Sequence, residues 1–491
     1  MNMEKENIRK EIEAIDDMLS DLFEKRIVLA KKEKDLNEQE KFVLTTEKEI
    51  KQQDISLIKK QFANQLDDLS DAFVNRTNDN NDLFLNDNAD FSTFKDSVFE
   101  LRTLAKKAID AGHSNVINAT IGSLFDENKK IVALNTVYDC YNAIANSTKA
   151  AYAKAITGNE DFTEAIFNWV NQNNNINLHH KTVAAAGGTG ALVLAFNNFL
   201  NPNDTVLLPQ TSWGTYKVIA KNLNLKCDFY KLTAEDNNVD LQDLMLKALR
   251  IIRKQGKLFV VINDPCQNPT GISLGSENWK LLIKYFNKIT EYGPVVIVND
   301  IAYIDYCYKN GYEYLQCFNE ANEKIMFNIA YSCSKTFTAY GMRVGANIIL
   351  SKNKQAVENA FNAFTRSCRA YWSNVNHGFM EAVVKVLKEN KEQFLTEKQQ
   401  YINLIKERSE IFLSKAKEVD LPLYPYTEGF FATVKVEDDN LLNKFHNNLI
   451  ANDIFAVKFD KGVRISLCAI TKEEANLLPK QLKEVLEASK Q

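Results

Sequence analysis

Lys335 is the side chain of this sequence best placed to do covalent chemistry. It closes the apolar run MFNIAYSCSK (326–335). Where a buried strand meets a ligand edge, loss of water disfavours the ammonium form and leaves an amine able to attack a carbonyl. Taken alone, the position better suits a solvated surface lysine. The neighbours change that balance: Ser332 and Ser334 flank it, and Arg343 follows eight residues on. Hydroxyls and a guanidinium around one amine make a place for a phosphate beside a Schiff base. Asp300 ends VVIVND (295–300), with Tyr303 three residues later. A carboxylate there can keep a ring nitrogen protonated and turn a pyridine into an electron sink. The string AAAGGTGALVLAF (184–196) puts Gly187, Gly188, Thr189 and Gly190 before a helical run. Backbone N–H groups and a hydroxyl at a helix start suit an anion, although a packing turn is the plain alternative. Trp213, in PQTSWGTYK, follows another strand end and is either a stacking surface for a planar ring or a core residue.

These side chains need elements to position them. Short apolar runs alternate with amphipathic stretches after Asn115: DTVLLP (204–209), KLFVVIND (257–264), VVIVND, MFNIAYSCSK and ANIIL (346–350). Helical patterns lie between them, at Leu241–Lys254 and Asn278–Tyr292. Strands alternating with helices predict an α/β fold with a mostly parallel sheet covered on both faces. Ligands of such sheets sit at the carboxyl ends of the strands. Asn268, Asp300, Tyr303 and Lys335 fall there. From about residue 395 a long charged helix, strand-like segments and a last helix predict a smaller α+β unit.

The joint pattern resembles the class I and II aminotransferases among the fold-type-I pyridoxal-phosphate enzymes. GGTGA (187–191), the tryptophan of TSW, NPTG (268–271), DIAY (300–303), SCSK (332–335) with Arg343, and VRISL (463–467) carry the resemblance. It spans roughly residues 100–491. It implies pyridoxal 5′-phosphate as cofactor, bound through Lys335, whose amine also shuttles the substrate proton. By the same resemblance Asp300 pairs with the ring nitrogen, Tyr303 and Asn268 bond the phenolic oxygen, and Trp213 stacks on the ring. Gly188, Thr189, Ser332, Ser334 and Arg343 surround the phosphate, and Tyr152 of AAYAKAITG reaches the phosphate of a second subunit. Arg464 clamps the α-carboxylate, for which a planar fork is required. Gly122 of ATIGSLF lies on the loop that closes over the substrate.

The implied activity is a ping-pong transfer of an amino group between an L-amino acid and a 2-oxo acid in a homodimer. The alternatives are a β-lyase on the same cofactor, a cofactor-dependent sensor, and an aminotransferase with residual chorismate mutase activity. For the substrate side chain, Arg369 of CRAYWSNVNHG (368–378) resembles the arginine that reads a distal carboxylate across the dimer, a structural salt bridge being the other reading. Phe125, Tyr340, Phe430 and Phe431 suggest an aromatic pocket instead. The expected donors are therefore aromatic or aspartate-like.

No glycine precedes Gly112 and no proline precedes Pro202, so the first hundred residues are expected to be helical. Ile8, Ile12, Ile15, Leu19 and Leu22 form a narrow seam, but Arg26, Glu33, Glu40 and Glu47 then place charge in it. Arg9 and Arg26 resemble two ligands of an AroQ-type chorismate mutase helix. Asn37 and Gln39 stand where that family carries cations, so the expected domain is degenerate and dimerising or regulatory. The Asn- and Asp-rich stretch 77–90 reads as a linker. The expected division is a helical domain at 1–85, an arm with part of the small domain at 86–150, a large cofactor domain at 151–395 and a small domain at 396–491.

Across its 491 residues the chain is 45% hydrophobic and 25% charged, with a net charge of −4. That balance fits an ordinary globular protein and gives no electrostatic footprint for nucleic acid. No run reaches the roughly 18 apolar residues of a membrane span, and the charged start is not a signal peptide. The eight cysteines include no CxxC pair, which excludes a zinc ribbon and leaves reduced thiols in a cytoplasmic protein as the expectation. With five histidines, neither a metal centre nor a His-based triad is expected.

Overall fold

The computed structural model describes Thr93 and residues 96–172, 176–234 and 238–491. The N-terminal seam, Arg9, Arg26 and the 77–90 stretch lie outside them. The described chain belongs to one compact unit that begins at Phe91.

Its centre is a seven-stranded sheet in the order β2-β8-β7-β6-β5-β3-β4. The strands are β2 (His179–Ala185), β3 (Thr205–Pro209), β4 (Lys226–Tyr230), β5 (Leu258–Asn263), β6 (Val295–Asp300), β7 (Ile325–Ser332) and β8 (Gly345–Ser351). Strands β3 to β7 pair parallel, whereas β8 runs antiparallel to both β7 and β2. The sheet is thus mostly parallel.

Burial on both faces explains the unbroken apolar runs. Along β5, Leu258, Val260 and Ile262 enter one core cluster, and Phe259 and Val261 enter the other. β6 divides in the same way, Val295 and Ile297 against Val296 and Val298. A two-residue period that is apolar at every position can only be covered twice. Each such side chain withdrawn from water contributes about 1.5–3 kcal/mol.

Helices α2 (Gly187–Phe199), α3 (Thr215–Asn222), α4 (Gln242–Gln255) and α5 (Gly275–Ile289) make the crossovers. α4 ends where Gly256 turns left-handed, with φ +75°, a conformation glycine adopts without steric cost. The expected helices at 241–254 and 278–292 shift by one and three residues.

A second layer holds the antiparallel sheet β11-β12-β9, built from β9 (Phe431–Lys435), β11 (Val457–Phe459) and β12 (Gly462–Ser466). Two helices, Lys391–Glu418 and Lys472–Lys490, pack on it around Phe412, Val434, Ile465 and Leu482. Strand β1 (Ile117–Asn118) pairs parallel with β10 (Ile454–Phe455). That pairing delivers the loop after residue 118 to the same layer. Helix α1 (Ser97–Asp110) precedes it, capped by the Asp96 carboxylate, which accepts from the Val98 and Phe99 N–H groups. None of the helices among the described residues is long and apolar enough to cross a membrane.

Candidate active site

The carboxyl edge of the large sheet and strand β12 face each other across a cavity of about 340 Å³. Pairing of Asn263 with Asp300 and of Asp300 with Ala330 lines up the ends of β5, β6 and β7. Asp300 therefore emerges beside the turn that carries Lys335. The lysine does not end the strand: β7 stops at Ser332, and Lys335 sits in a one-turn helix, Cys333–Thr336.

Lys335 Nζ donates to Gly122 O and lies 4.8 Å from the Tyr340 ring centroid. Burial pulls its pKa from 10.5 down to about 8, with Arg464 and Arg343 acting in the same direction and Cys468 against them. Burial and two nearby guanidinium groups thus leave an appreciable minority of the amine neutral near physiological pH. The turn is anchored from behind: Thr336 Oγ1 donates to Asp305 at 2.7 Å, and Asp305 pairs with the buried Lys398 at 2.7 Å.

Asp300 is held through both carboxylate oxygens. Oδ2 accepts from the Tyr216 hydroxyl at 2.5 Å and Oδ1 from the Ala302 N–H at 3.1 Å. Burial raises its pKa, and those two donors oppose the rise. Asn268 Nδ2 reaches the Tyr303 hydroxyl at 3.5 Å, and its Oδ1 accepts from Arg464 Nη1 at 3.1 Å. Arg464 also donates to Thr120 O at 2.6 Å, while its buried Nε has no partner. Burial lowers the pKa of this guanidinium.

The other end of the cavity gathers Gly188, Thr189, Ser332, Ser334 and Arg343. Arg343 Nη1 donates to Ser334 Oγ at 3.2 Å. No side chain caps α2, so its first N–H groups remain available to an anion. Gly187 has φ +72°, and a Cβ there would run into the Arg343 guanidinium. Gly188 allows Ser332 close, since a Cβ would stand 3.1 Å from that of the serine. Trp213 lines the cavity, its ring 5.6 Å from that of Tyr216.

This donor set fits pyridoxal phosphate. A cationic, N–H-rich end suits the phosphate, a buried carboxylate at the end of β6 suits a protonated ring nitrogen, and an amine of lowered pKa suits the aldehyde. The unpartnered Nε of Arg464 is a buried donor still waiting for an acceptor. The description "Aminotransferase class I and II" matches residues 114–482. The chain belongs to the class I and II aminotransferases.

Class I and II aminotransferases use pyridoxal phosphate. One relative, an aspartate aminotransferase of Pseudomonas aeruginosa, is 30% identical over 39% of this chain and 48% of its own length. The aromatic-amino-acid aminotransferase of the same organism is 26% identical over 41% and 49%. The chain thus spans about half the length of these relatives. Among solved structures, an aminotransferase of Anaerococcus prevotii is 26% identical with a TM-score of 0.79, covering 82% of this chain and 98% of that one. The Burkholderia pseudomallei aromatic-amino-acid aminotransferase, described as covalently bound to pyridoxal phosphate, is 20% identical with a TM-score of 0.66 over 81% and 100%. That last likeness concerns the fold.

Three expected site residues stand apart from the cavity of this aminotransferase chain. Tyr152 is 84% exposed on a loop, and Arg369 donates to Ser373 Oγ just past the end of its own helix, Lys354–Tyr371. Phe125 forms a bridge with Ile131 and does not line the cavity; Tyr340 and Phe431 do, with Phe430 buried behind them. Three residues that the sequence reading overlooked contribute instead: Tyr216, Asn263 and Arg102. Tyr216 lies three residues beyond Trp213, one helical turn on, and that spacing was the available signal.

Proposed function

We propose that the chain is a pyridoxal-phosphate-dependent aminotransferase that moves an amino group between an L-amino acid and a 2-oxo acid by a ping-pong mechanism. The observation that carries this reading is one cavity shared by a pKa-lowered Lys335, a doubly held Asp300 and a buried Arg464. Lys335 is the covalent attachment point and the proton carrier. Asp300 is the anion opposite the ring nitrogen, and Asn268 and Tyr303 serve the phenolic oxygen. Gly188, Thr189, Ser332, Ser334 and Arg343 hold the phosphate, and Trp213 covers the ring. When bound, the cofactor supplies a carbonyl carbon for the amine and an electron sink for the bond broken at Cα.

The chain's own contribution is orientation and proton handling. Arg464 holds the α-carboxylate through two N–H groups, which aims one Cα bond at Lys335 Nζ. Gly122 O keeps that Nζ on the substrate side. Lys335, as a neutral amine, would take the Cα proton and deliver it on the same face to the cofactor carbon derived from the aldehyde, which a pKa near operating pH favours. Phe431 and Tyr340 exclude water around it.

The assembly belongs to this reading too. Tyr152 and Arg369 are exposed in a single chain, as residues serving a second copy would be, so the active form is a homodimer with aromatic or aspartate-like donors. The domain division given above and a cytoplasmic location complete it. Residues 1–85 are read as a degenerate chorismate-mutase-like domain on the spacing of Arg9 and Arg26.

Half-reaction spectra test the proposal. Amino donors convert the yellow enzyme to the pyridoxamine form, and a 2-oxo acid restores it. Ammonia and pyruvate released with no dependence on the 2-oxo acid would replace transfer by elimination.

A further inference from the structure

Among the described residues, one group of three metal-ligating side chains stands close together: Cys266, Cys307 and Glu428, whose ligand atoms all lie within 4.8 Å of one another. They are far apart in sequence, so no spacing motif announces them. Cys266 follows β5, Cys307 follows the 3-10 turn Ile304–Tyr306, and Glu428 precedes β9. None of the three lines the cavity described above.

The geometry suits a thiophilic divalent cation. The two Sγ atoms are 3.5 Å apart; two thiolates on tetrahedral zinc, each at about 2.3 Å, stand about 3.8 Å apart. Two glycines leave room for the sulfurs, since a Cβ on Gly311 would stand 2.5 Å from Cys307 Sγ and one on Gly429 3.0 Å from Cys266 Sγ. The Glu428 carboxylate is only 9% exposed and accepts from Ser273 Oγ at 2.9 Å and from the Tyr308 N–H at 2.6 Å. It enters no ion pair among the described residues. Asp264, two residues before Cys266, is a second buried carboxylate, bonded to the Leu274 N–H and Trp279 Nε1 and likewise without a cation among them. Buried charge is ordinarily paired or bound to a metal. We propose that Cys266, Cys307 and Glu428 bind one zinc ion, the fourth position falling to water or to the Ser273 hydroxyl, which already accepts from the Cys266 N–H at 3.0 Å. Binding breaks both S–H bonds, forms two Zn–S bonds and releases two protons to solvent; Glu428 joins as a carboxylate, and no electron is transferred. The ion fastens the loop leading to Asn268 and the turn following Tyr303 to the segment that opens the smaller layer. The inference does not depend on the aminotransferase reading.

The test is elemental analysis with zinc X-ray absorption on the full-length holoenzyme, after incubation with equimolar zinc and gel filtration. One zinc per chain is expected, with two sulfurs at about 2.3 Å and oxygen in the remaining positions. A chelator should remove it and lower the thermal midpoint by about 3 °C or more, which zinc reverses and magnesium does not. Cys307→Ser and Glu428→Gln should each weaken zinc retention roughly 10-fold or more, whereas Cys227→Ser, a sulfur outside the group, should keep it. Zinc well below stoichiometry, a coordination shell without sulfur, retention unchanged in both ligand variants, or a Cys266–Cys307 disulfide in the native protein overturns the inference. The absorption spectrum of the wild type decides the coordination by itself, so a variant that fails to fold leaves the test intact.

Discussion

The lowered pKa of Lys335 gives the sharpest quantitative expectation. An amine that titrates at about 8 instead of 10.5 is neutral in roughly a quarter of molecules at pH 7.5, against about 0.1% for an ordinary lysine. Only the neutral form attacks an aldehyde, so the cofactor-free protein should combine with pyridoxal phosphate about 200-fold faster at that pH than an exposed lysine of equal nucleophilicity. Stopped-flow absorbance between pH 6 and 11 reads this directly, and the observed rate should level off just above pH 8. Stability gives an independent check. The folded chain releases this proton near pH 8 and the unfolded chain near 10.5, so the unfolded state binds more protons in between and stability rises with pH across that window. The span corresponds to about 2–3 kcal/mol once water in the cavity is allowed for. Lys335→Ala should abolish both the rate plateau and this part of the stability slope. A rate still climbing at pH 10, or a stability curve identical in the variant, would refute the argument.

Tyr216→Phe removes one hydroxyl from Asp300 and leaves the ring in place. A bond to a charged acceptor contributes about 1.5–3 kcal/mol, so kcat/KM near neutral pH should fall by about tenfold or more. Its acid limb should also move to higher pH, because the carboxyl then ionises less readily; a profile matching wild type would dismiss the role of Tyr216. Arg464→Lys keeps the charge but not the fork held between Asn268 and Thr120, and kcat/KM should drop by about 100-fold for every amino donor. Loss confined to one donor class would contradict that assignment. Asp305→Asn strips the counter-ion from the buried Lys398 and a bond from Thr336; chemical denaturation should show a cost of about 3–5 kcal/mol. A cost under ~1 kcal/mol would mean the pair does not anchor the lysine turn.

How much of this could be read from the sequence depended on where apolar runs stop. Asn268, Asp300 and Lys335 each follow a run that must be a doubly covered strand, and ligand edges of parallel sheets lie at such ends. The long helix expected from about residue 395 was legible from its charged pattern, and Arg464 from the resemblance carried by VRISL. The reasoning from apolar runs failed where burial is one-sided. His179–Ala185 begins with exposed polar residues, and Lys226–Tyr230 is an edge strand of mixed composition, so neither has an apolar run to notice. Tyr216 and Arg102 were missed for a different reason: each lies within a helix, where sequence spacing shows which residues share a face but not what that face meets. Phe125 was misplaced because an aromatic next to the Gly122 loop looks like a pocket wall, yet its backbone pairs with Cys468 and its own strand bridge turns it away.

The two ends of the cavity are mechanically joined through a buried hydrogen-bond path. Asn263 Nδ2 donates to Asp300 O at 2.8 Å, and its Oδ1 accepts from the Asn268 N–H at 2.8 Å. Asn268 then accepts from Arg464, which reaches Thr120 O on the segment leading to Gly122. One buried path therefore runs from Asp300, the proposed partner of the ring nitrogen, to Arg464, the proposed clamp for the α-carboxylate. Proton transfer needs the Cα bond aimed at Lys335 within a small angle, and that angle is set by the separation of those two anchors. Asn263→Ala leaves Asp300, Asn268 and Arg464 in place but severs the path and orphans the Asn268 N–H. The loss should fall mainly on kcat, with KM for the amino donor little changed. A rise in KM at constant kcat would instead mean that Asn263 shapes the binding surface and that the two ends are positioned independently.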